Sequence, residues 1–324
     1  MTSSGAASDA RGKPALCRPA DPHSTIVSVA PKVASSAAIG IGCMVLAGIL
    51  MMANSAILKW VTTDYPAGQI IFTRGVFIWI PVVYLVARSG GFRTVRFNRP
   101  KFHIIRGCCV IASAFLYVIG LRYLPLADIT AITFSTPIFI TVLAPYLLGE
   151  SVGWRRWSAV VVGFVGIVII ARPTGEGLAI AAVFPLGMAI WAATRDIITR
   201  HMTETESSNA ILCSTTAIVM VAGLLTAPFG WKLPTIQDFL LMAGAGLFAG
   251  FGHHFMIEAF RNAEAVMLAP FRYLAIVWAT ALGYVIWGDL PDGWAFFGIG
   301  LVILSGLYIF QREMKLRRAA RVIE

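Results

Sequence analysis

Charge is what this chain has least of. Only 13% of its 324 residues are Asp, Glu, Lys or Arg, where a soluble domain carries about a quarter. An ordinary water-soluble fold is therefore excluded. Acids are scarcer than bases, 16 against 26, which leaves a net charge of +10. That surplus does not mark a nucleic-acid binder, because the positive residues stand at the ends of apolar runs and in the tails, where membrane topology wants them. The five cysteines (Cys17, Cys43, Cys108, Cys109 and Cys213) show no metal-ligand spacing and no disulfide framework. Cys108 and Cys109 adjoin within an apolar run and read as packing residues. No metal and no cofactor is called for. There is no GxxxxGK[ST] loop, so ATP does not drive the protein. No apolar core precedes Ser35, which argues against a cleavable signal peptide. Residues 1–34, rich in Ser, Ala and Pro, read as a disordered cytoplasmic tail.

What is abundant is apolar surface. Hydrophobic residues make up 58% of the chain and the mean hydropathy is +0.78. They fall in runs near 20 residues, about the length of helix that crosses the hydrocarbon of a bilayer. Ten spans are expected, near 36–58, 67–87, 102–121, 126–148, 155–171, 177–198, 208–229, 237–259, 264–287 and 293–311. Pro66, Pro100, Pro125, Pro173, Pro234 and Pro291 punctuate turns, whereas Pro81, Pro137, Pro145, Pro185 and Pro270 lie inside spans and free carbonyls there. With the N-terminus in the cytoplasm, 19 of the 26 Lys and Arg fall inside and only Lys59, Arg122, Arg172 and Lys232 outside. This asymmetry supports an even number of spans with both ends cytoplasmic.

The chain also repeats itself. Setting Arg122 on Arg261, a shift of 139, brings Thr141 onto Thr280, Leu143 onto Leu282, Gly149 onto Gly288 and Glu150 onto Asp289. One extra residue in the turn then aligns Trp154 with Trp294, Gly166 with Gly306 and Arg172 with Arg312. Ten spans in two like halves give five each. Five is odd, so the second half must enter the membrane upside down. The expected fold is all-α and integral to the membrane: ten transmembrane helices in two inverted five-helix repeats, residues 35–172 and 173–312, with a basic cytoplasmic tail at 313–324.

These motifs carry a family likeness. Leu121-Arg-Tyr-Leu-Pro-Leu-Ala-Asp128, Phe134-Ser-Thr-Pro137, Leu148-Gly-Glu150, Gly163-Phe-Val-Gly166, Leu268-Ala-Pro-Phe-Arg-Tyr273 and Gly288-Asp-Leu-Pro291, with Arg74 in the second span, resemble the EamA-type carriers of the drug/metabolite transporter superfamily. The likeness covers about residues 36–312. The second half carries Asp289 where the family more often has Glu. The resemblance implies a central cavity between two inverted repeats and movement of small organic molecules across a bacterial cytoplasmic membrane. Bacterial members that the chain looks like carry riboflavin or S-adenosylmethionine.

Charged and polar groups inside hydrocarbon are the best pointers to a site, since each charge costs about 2.5–3.5 kcal/mol on insertion scales. Arg74 reads either as an ion-paired anchor or as an attractor of an anionic or polar substrate group. Arg272 reads as an inner-leaflet anchor or, between Phe271 and Tyr273 and after Pro270, as a cation suited to a flat heterocycle. Arg106, about one turn into its span, is expected to snorkel. Asn54, Thr133, Ser135 and Thr136 either bridge helices or line a cavity with Phe134, which pairs with Tyr273 under the repeat shift. Tyr117 and Trp191 either stack on a substrate or face lipid. His254 and Glu258, at i and i+4, read as a proton-coupling pair or as a structural one. Glu150 and Asp289 are expected to cap turns.

The substrate-binding candidates are therefore Asn54, Arg74, Tyr117, Thr133, Phe134, Trp191, Arg272 and Tyr273. The proton-coupling candidates are His254 and Glu258. The function expected is secondary transport of a small polar metabolite or drug (a flavin, S-adenosylmethionine, an amino acid or a nucleoside-like compound) by alternating access. The partners are that small molecule and the lipid bilayer, not nucleic acid, and a homodimer stays open. The rival is a membrane-embedded enzyme using His253, His254 or Glu258, against which no nucleophile–base set can be assembled.

Overall fold

The computed structural model describes residues 30–88, 91, 95, 97–148, 153–171, 178–202, 205–263 and 265–323. Glu150 and Arg172, named above, lie outside the described residues. Among the described residues the regular structure is entirely helical. The helices are α1 (Ala30–Val61), α2 (Ala67–Arg88), α3 (Pro100–Tyr123), α4 (Leu126–Thr133), α5 (Thr136–Leu148), α6 (Trp154–Ala171), α7 (Leu178–Ala181), α8 (Val183–Met202), α9 (Ser208–Leu224), α10 (Ile236–Asn262), α11 (Ala265–Arg272), α12 (Leu274–Trp287) and α13 (Gly293–Ile323).

Among the described residues eight helical stretches are long and apolar enough to cross a bilayer, counting α4 with α5 and the end of α11 with α12. The sixth and seventh of the ten expected spans do not qualify, for two different reasons. The apolar part of α9, Asn209–Leu224, is shorter than the others, because the chain turns away at Leu225. The second half of α8 holds Arg195, Asp196 and Arg200. The protein is multi-pass, and it exposes apolar residues such as Val161, Val165 and Val168 along α6.

Two of the expected spans are broken. The fourth stops at Thr133 and restarts at Thr136, and the ninth stops at Arg272 and restarts at Leu274. The cause of the first break is Pro137, which has no N–H for the Thr133 carbonyl. Neighbouring hydroxyls take over: Thr136 donates to Thr133 O at 2.7 Å, Ser135 to Ile132 O at 2.5 Å and Thr133 to Thr130 O at 2.7 Å. A broken helix survives in a membrane only when such groups satisfy the freed backbone.

Packing follows a regular pattern. Helix α1 lies on α10 and α12, α2 on α9 and α10, α3 on α8 and α9, α4 on α12, α5 on α8, and α6 on α13. Lipid tails are as apolar as leucine, so these contacts need close backbone approach rather than a hydrophobic drive. On α10, Gly246 and Gly250 supply it: a Cβ at Gly246 would meet the Arg74 carbonyl at 2.5 Å and Phe77 at 2.8 Å, and Gly250 faces Pro81. Two apolar clusters dominate the core of the described residues. One is built on Leu58, Ile70, Leu121, Ile129 and Ala279, the other on Ile132, Ile138, Ile167, Ile276 and Val302, and Phe134 packs against both.

Candidate functional site

The helix breaks point inward. Phe134, the C-cap of α4, and Tyr273, the N-cap of α12, meet with ring centroids 4.9 Å apart and planes at 35°. Beside them opens a cavity of about 320 Å³, within the range of small-molecule sites. Thr133, Thr136 and Pro137 line it from the first break, and Arg272 and Tyr273 from the second. Met188, Ala192, Arg195 and Asp196 of α8 form the facing wall, and Phe260, Gly306 and Phe310 complete it. Gly306 gives Tyr273 its place, because any Cβ there would collide with the phenol oxygen.

The electrostatics of the cavity are uneven. Arg195 and Asp196 pair with each other, Nη2 to Oδ1 at 2.7 Å and Nε to Oδ1 at 2.8 Å. Arg272 forms no ion pair with a described acid, and its side chain stands in the wall beside the Tyr273 phenol. The cavity thus offers one unpaired cation, a paired acid, hydroxyls and two aromatic faces. That set can hold a flat, polar molecule by stacking and by charge-assisted hydrogen bonds.

A second polar cluster lies between α1, α2 and α3. Tyr117 donates to Ser55 Oγ at 2.8 Å, and Ser55 donates to Met51 O at 3.0 Å. Arg74 reaches Asn54 Oδ1 at only 3.5 Å. With its amide turned over, Asn54 donates instead to Ala245 O at 3.0 Å and accepts from Ser55 N at 3.3 Å. The second orientation makes two bonds at no greater length and leaves Arg74 without that acceptor. His253 Nδ1 lies 2.7 Å from Ala249 O, one turn earlier on α10.

The structure thus divides the expected site residues. It brings Thr133, Phe134, Arg272 and Tyr273 together in one cavity, and Asn54, Arg74 and Tyr117 in the neighbouring cluster. Trp191 belongs to neither: it is 43% exposed and does not line the cavity, whereas Ala192 beside it does. The expected His254–Glu258 contact is not made. Glu258 instead bonds the Arg261 guanidinium, one turn on, at 2.7 Å. The His254 ring lies tilted against Phe255, centroids 5.4 Å apart and planes at 51°, its Nδ1 buried without a partner. Arg106 does not snorkel. It donates to Thr199 of α8 at 2.7 Å and to Thr215 of α9, holding three helices together.

Arg195 and Asp196 were not among the expected site residues, although both fall within the expected sixth span. Adjacent opposite charges at the end of an apolar run were the available sign. Asp289, expected as a turn cap, binds Lys59 Nζ at 3.0 Å, while that ammonium stands 4.8 Å from the centre of the Trp287 ring. Gly288, at φ 73°, makes the left-handed turn that aims Asp289 at α1.

At the other end of the bundle the connections α2–α3 and α8–α9 are tied. Glu206 accepts from Arg99 N at 2.7 Å and faces His103 Nε2 at 3.4 Å, while His103 Nδ1 lies 2.7 Å from Ser214 Oγ. Burial alone would raise the Glu206 pKa, but the Arg99 N–H, the His103 ring and the backbone at Asn98 outweigh it and hold the carboxyl below its ordinary value. No group of three or more His, Cys, Asp or Glu that could hold a metal occurs among the described residues.

The EamA-like transporter family model matches this chain twice, over residues 38–172 and 178–311. The chain belongs to the EamA-like transporter family. Among its relatives is the S-adenosylmethionine uptake transporter of Rickettsia bellii, 30% identical over 86% of this chain and 95% of that protein. The riboflavin transporter of Rhizobium johnstonii is 28% identical over 92% of this chain and 98% of its own length. The pseudopaline exporter CntI of Pseudomonas aeruginosa is 25% identical over 82% and 94%. A solved crystal structure superposes with a TM-score of 0.61 at 15% identity over 87% of this chain and 99% of the other, a likeness of fold alone. This EamA-like protein is a membrane transporter of small metabolites.

Proposed function

We propose that this EamA-like protein crosses a bacterial inner membrane ten times, as two inverted five-helix repeats with both termini cytoplasmic, and carries a flat, polar metabolite unchanged by alternating access. The meeting of Phe134 and Tyr273 at the two helix breaks is the observation that carries the proposal. These residues are equivalent under the shift of 139, and residues related by a two-fold axis touch only where the axis passes.

Other facts support the repeat. The same shift carries α4 onto α11 and brings α2, α3 and α5 within a few residues of α9, α10 and α12. Exchanging the halves turns the α1–α10 contact into α3–α8, and returns α2–α9 and α6–α13 to themselves. The two separate family matches agree with it.

By the distribution of Lys and Arg, the cavity between Arg195 and Arg272 opens to the cytoplasm. The opposite end is then closed by the Lys59–Asp289 pair beneath Trp287. The state described is inward-facing, and transport requires that pair to open as the Arg195 end closes. Two of the named relatives, for S-adenosylmethionine and riboflavin, carry fused heterocycles that fit the aromatic pair and Arg272. The energy comes from exchange or from a coupled ion. Purified protein in liposomes tests the proposal: uptake of intact radiolabelled S-adenosylmethionine or riboflavin, lost in Arg272→Ala, is expected. Chemical conversion of the solute, or flux indifferent to both cavity arginines, would overturn it.

A further inference from the structure

The exposed face of α6 carries a groove that lies apart from the cavity described above. It is open, about 350 Å³ in volume and lined by apolar side chains alone, Trp157, Val161, Phe164, Val165, Val168 and Ile169 among them. These positions recur at three and four residues, so they form one stripe along the helix. From Trp157 to Ile169 the stripe is about 18 Å long, close to the roughly 15 Å of hydrocarbon in one leaflet. A second helix of protein is a poor occupant. Close helix packing in lipid wants small residues at the contact, and the glycines of α6 point elsewhere: a Cβ at Gly163 would meet Ser305 Oγ at 2.5 Å, and one at Gly166 the Gly298 carbonyl at 2.8 Å. What α6 leaves exposed is valine, phenylalanine and tryptophan.

Positive charge collects at one end of this groove. The Arg155 guanidinium lies 5.7 Å from the centre of the exposed Trp154 ring, one turn ahead of Trp157 on the same stripe. Arg156 follows it in sequence. The glycine contacts set α6 and α13 antiparallel, with Gly163 opposite Ser305; two turns toward the start of α6, the same register puts Arg312 level with Arg156. Helix α13 runs on to Ile323, and its last twelve residues hold Arg312, Lys315, Arg317, Arg318 and Arg321 against Glu313 alone. Arg155, Arg156, Arg312 and Lys315 form no ion pair with a described acid.

We propose that this end of α6 and α13 binds one anionic phospholipid, its phosphate held by Arg155, Arg156 and Arg312 and one acyl chain laid along the groove. Cations at the mouth of a dry groove one leaflet long match a molecule that is negative at one end and apolar for the rest. A soluble anion would leave the groove empty, and a second copy of this chain, lying alongside, would bring like charge against like. The leaflet is the cytoplasmic one, which rests on the orientation proposed above; the site itself does not depend on the cargo.

The test titrates detergent-purified, full-length protein with dioleoylphosphatidylglycerol or dioleoylphosphatidylcholine, which share their chains, and reads bound lipid by native mass spectrometry. Wild-type protein should hold the anionic lipid at least about tenfold more tightly. Each surface cation is worth about fivefold toward an anionic lipid. Arg155→Gln with Arg156→Gln should therefore lower that affinity by about twentyfold to thirtyfold and leave the neutral lipid unchanged. Arg88→Gln with Lys101→Gln removes the same charge from exposed positions on α2 and α3, and should change neither affinity by more than about twofold. Val165→Trp, which fills the groove and spares the cations, should weaken both lipids alike. Equal wild-type affinities, equal losses in the two double variants, or indifference to Val165→Trp overturns the site. So does a dimer that cross-links through Val165→Cys once lipid is stripped away. Lipid binding is read without flux, so each of these results leaves the carrier reading intact.

Discussion

Neutralising the closure at the Lys59 end should shift the protein toward its outward-open state by a calculable amount. At 3.0 Å and an effective dielectric near 20, the Lys59–Asp289 attraction is about 5.5 kcal/mol before other terms. The Asp289 side chain is 36% exposed, so water and side-chain ordering reduce this to the about 0.2–1 kcal/mol measured for such pairs. The ammonium over Trp287 adds about 0.5–1 kcal/mol, which is lost when the lysine is changed. Asp289→Asn should therefore favour opening by up to about fivefold, and Lys59→Gln by about threefold to thirtyfold. Ala56, buried on α1 one turn below Lys59, reports the change. In a cysteine-free background, Ala56→Cys should react with a membrane-impermeant maleimide faster by those factors in each variant. The double variant should match Lys59→Gln alone, because the two residues act as one contact. Unchanged labelling in both single variants, or slower labelling, would refute the closure.

Three further outcomes are expected. Arg272→Ala should abolish thermal stabilisation by S-adenosylmethionine or riboflavin without lowering the melting temperature of the unliganded protein, since the side chain is exposed in the cavity wall. Gly306→Ala should push the Tyr273 ring away from Phe134 at a cost of about 1–3 kcal/mol, weakening ligand stabilisation, and Tyr273→Phe in the same chain should restore most of it by removing the colliding oxygen. Glu206, with its folded pKa depressed, contributes stability that is present above the ordinary glutamate range and lost as pH falls through the folded value. Wild-type melting temperature should therefore drop on acidification, while Glu206→Gln should be less stable at neutral pH and flatter below it.

How much of this was legible depended on what each residue had to contrast with. The likeness of the halves was visible because Gly, Trp and Arg stand out against Leu and Val, and it brought Phe134 and Tyr273 together before any coordinates. Pro137 advertised a weak point in the fourth span. The three hydroxyls that turn it into a clean break read beforehand as bridges or cavity lining. His254 and Glu258 had the right spacing, but spacing permits a bond without requiring one, and Arg261 was the stronger partner.

The larger obstacle is physical. In water, a helix declares its buried face by alternating apolar and polar residues. In a bilayer both faces are apolar, so that signal fades, and nothing in the pattern marked Ala192 rather than Trp191 as the one that lines the cavity. Two kinds of residue still carry directional information there. Small ones mark close contacts, as Gly246 and Gly250 do against α2. Polar ones mark the interior, as Arg106 does between Thr199 and Thr215. Arg195 and Asp196, adjacent on α8, belong to the second kind. Their place in the cavity wall suggests the rule to apply first to other chains of this family: opposite charges adjacent in the last turns of a span are better sought in the site than in the solvent.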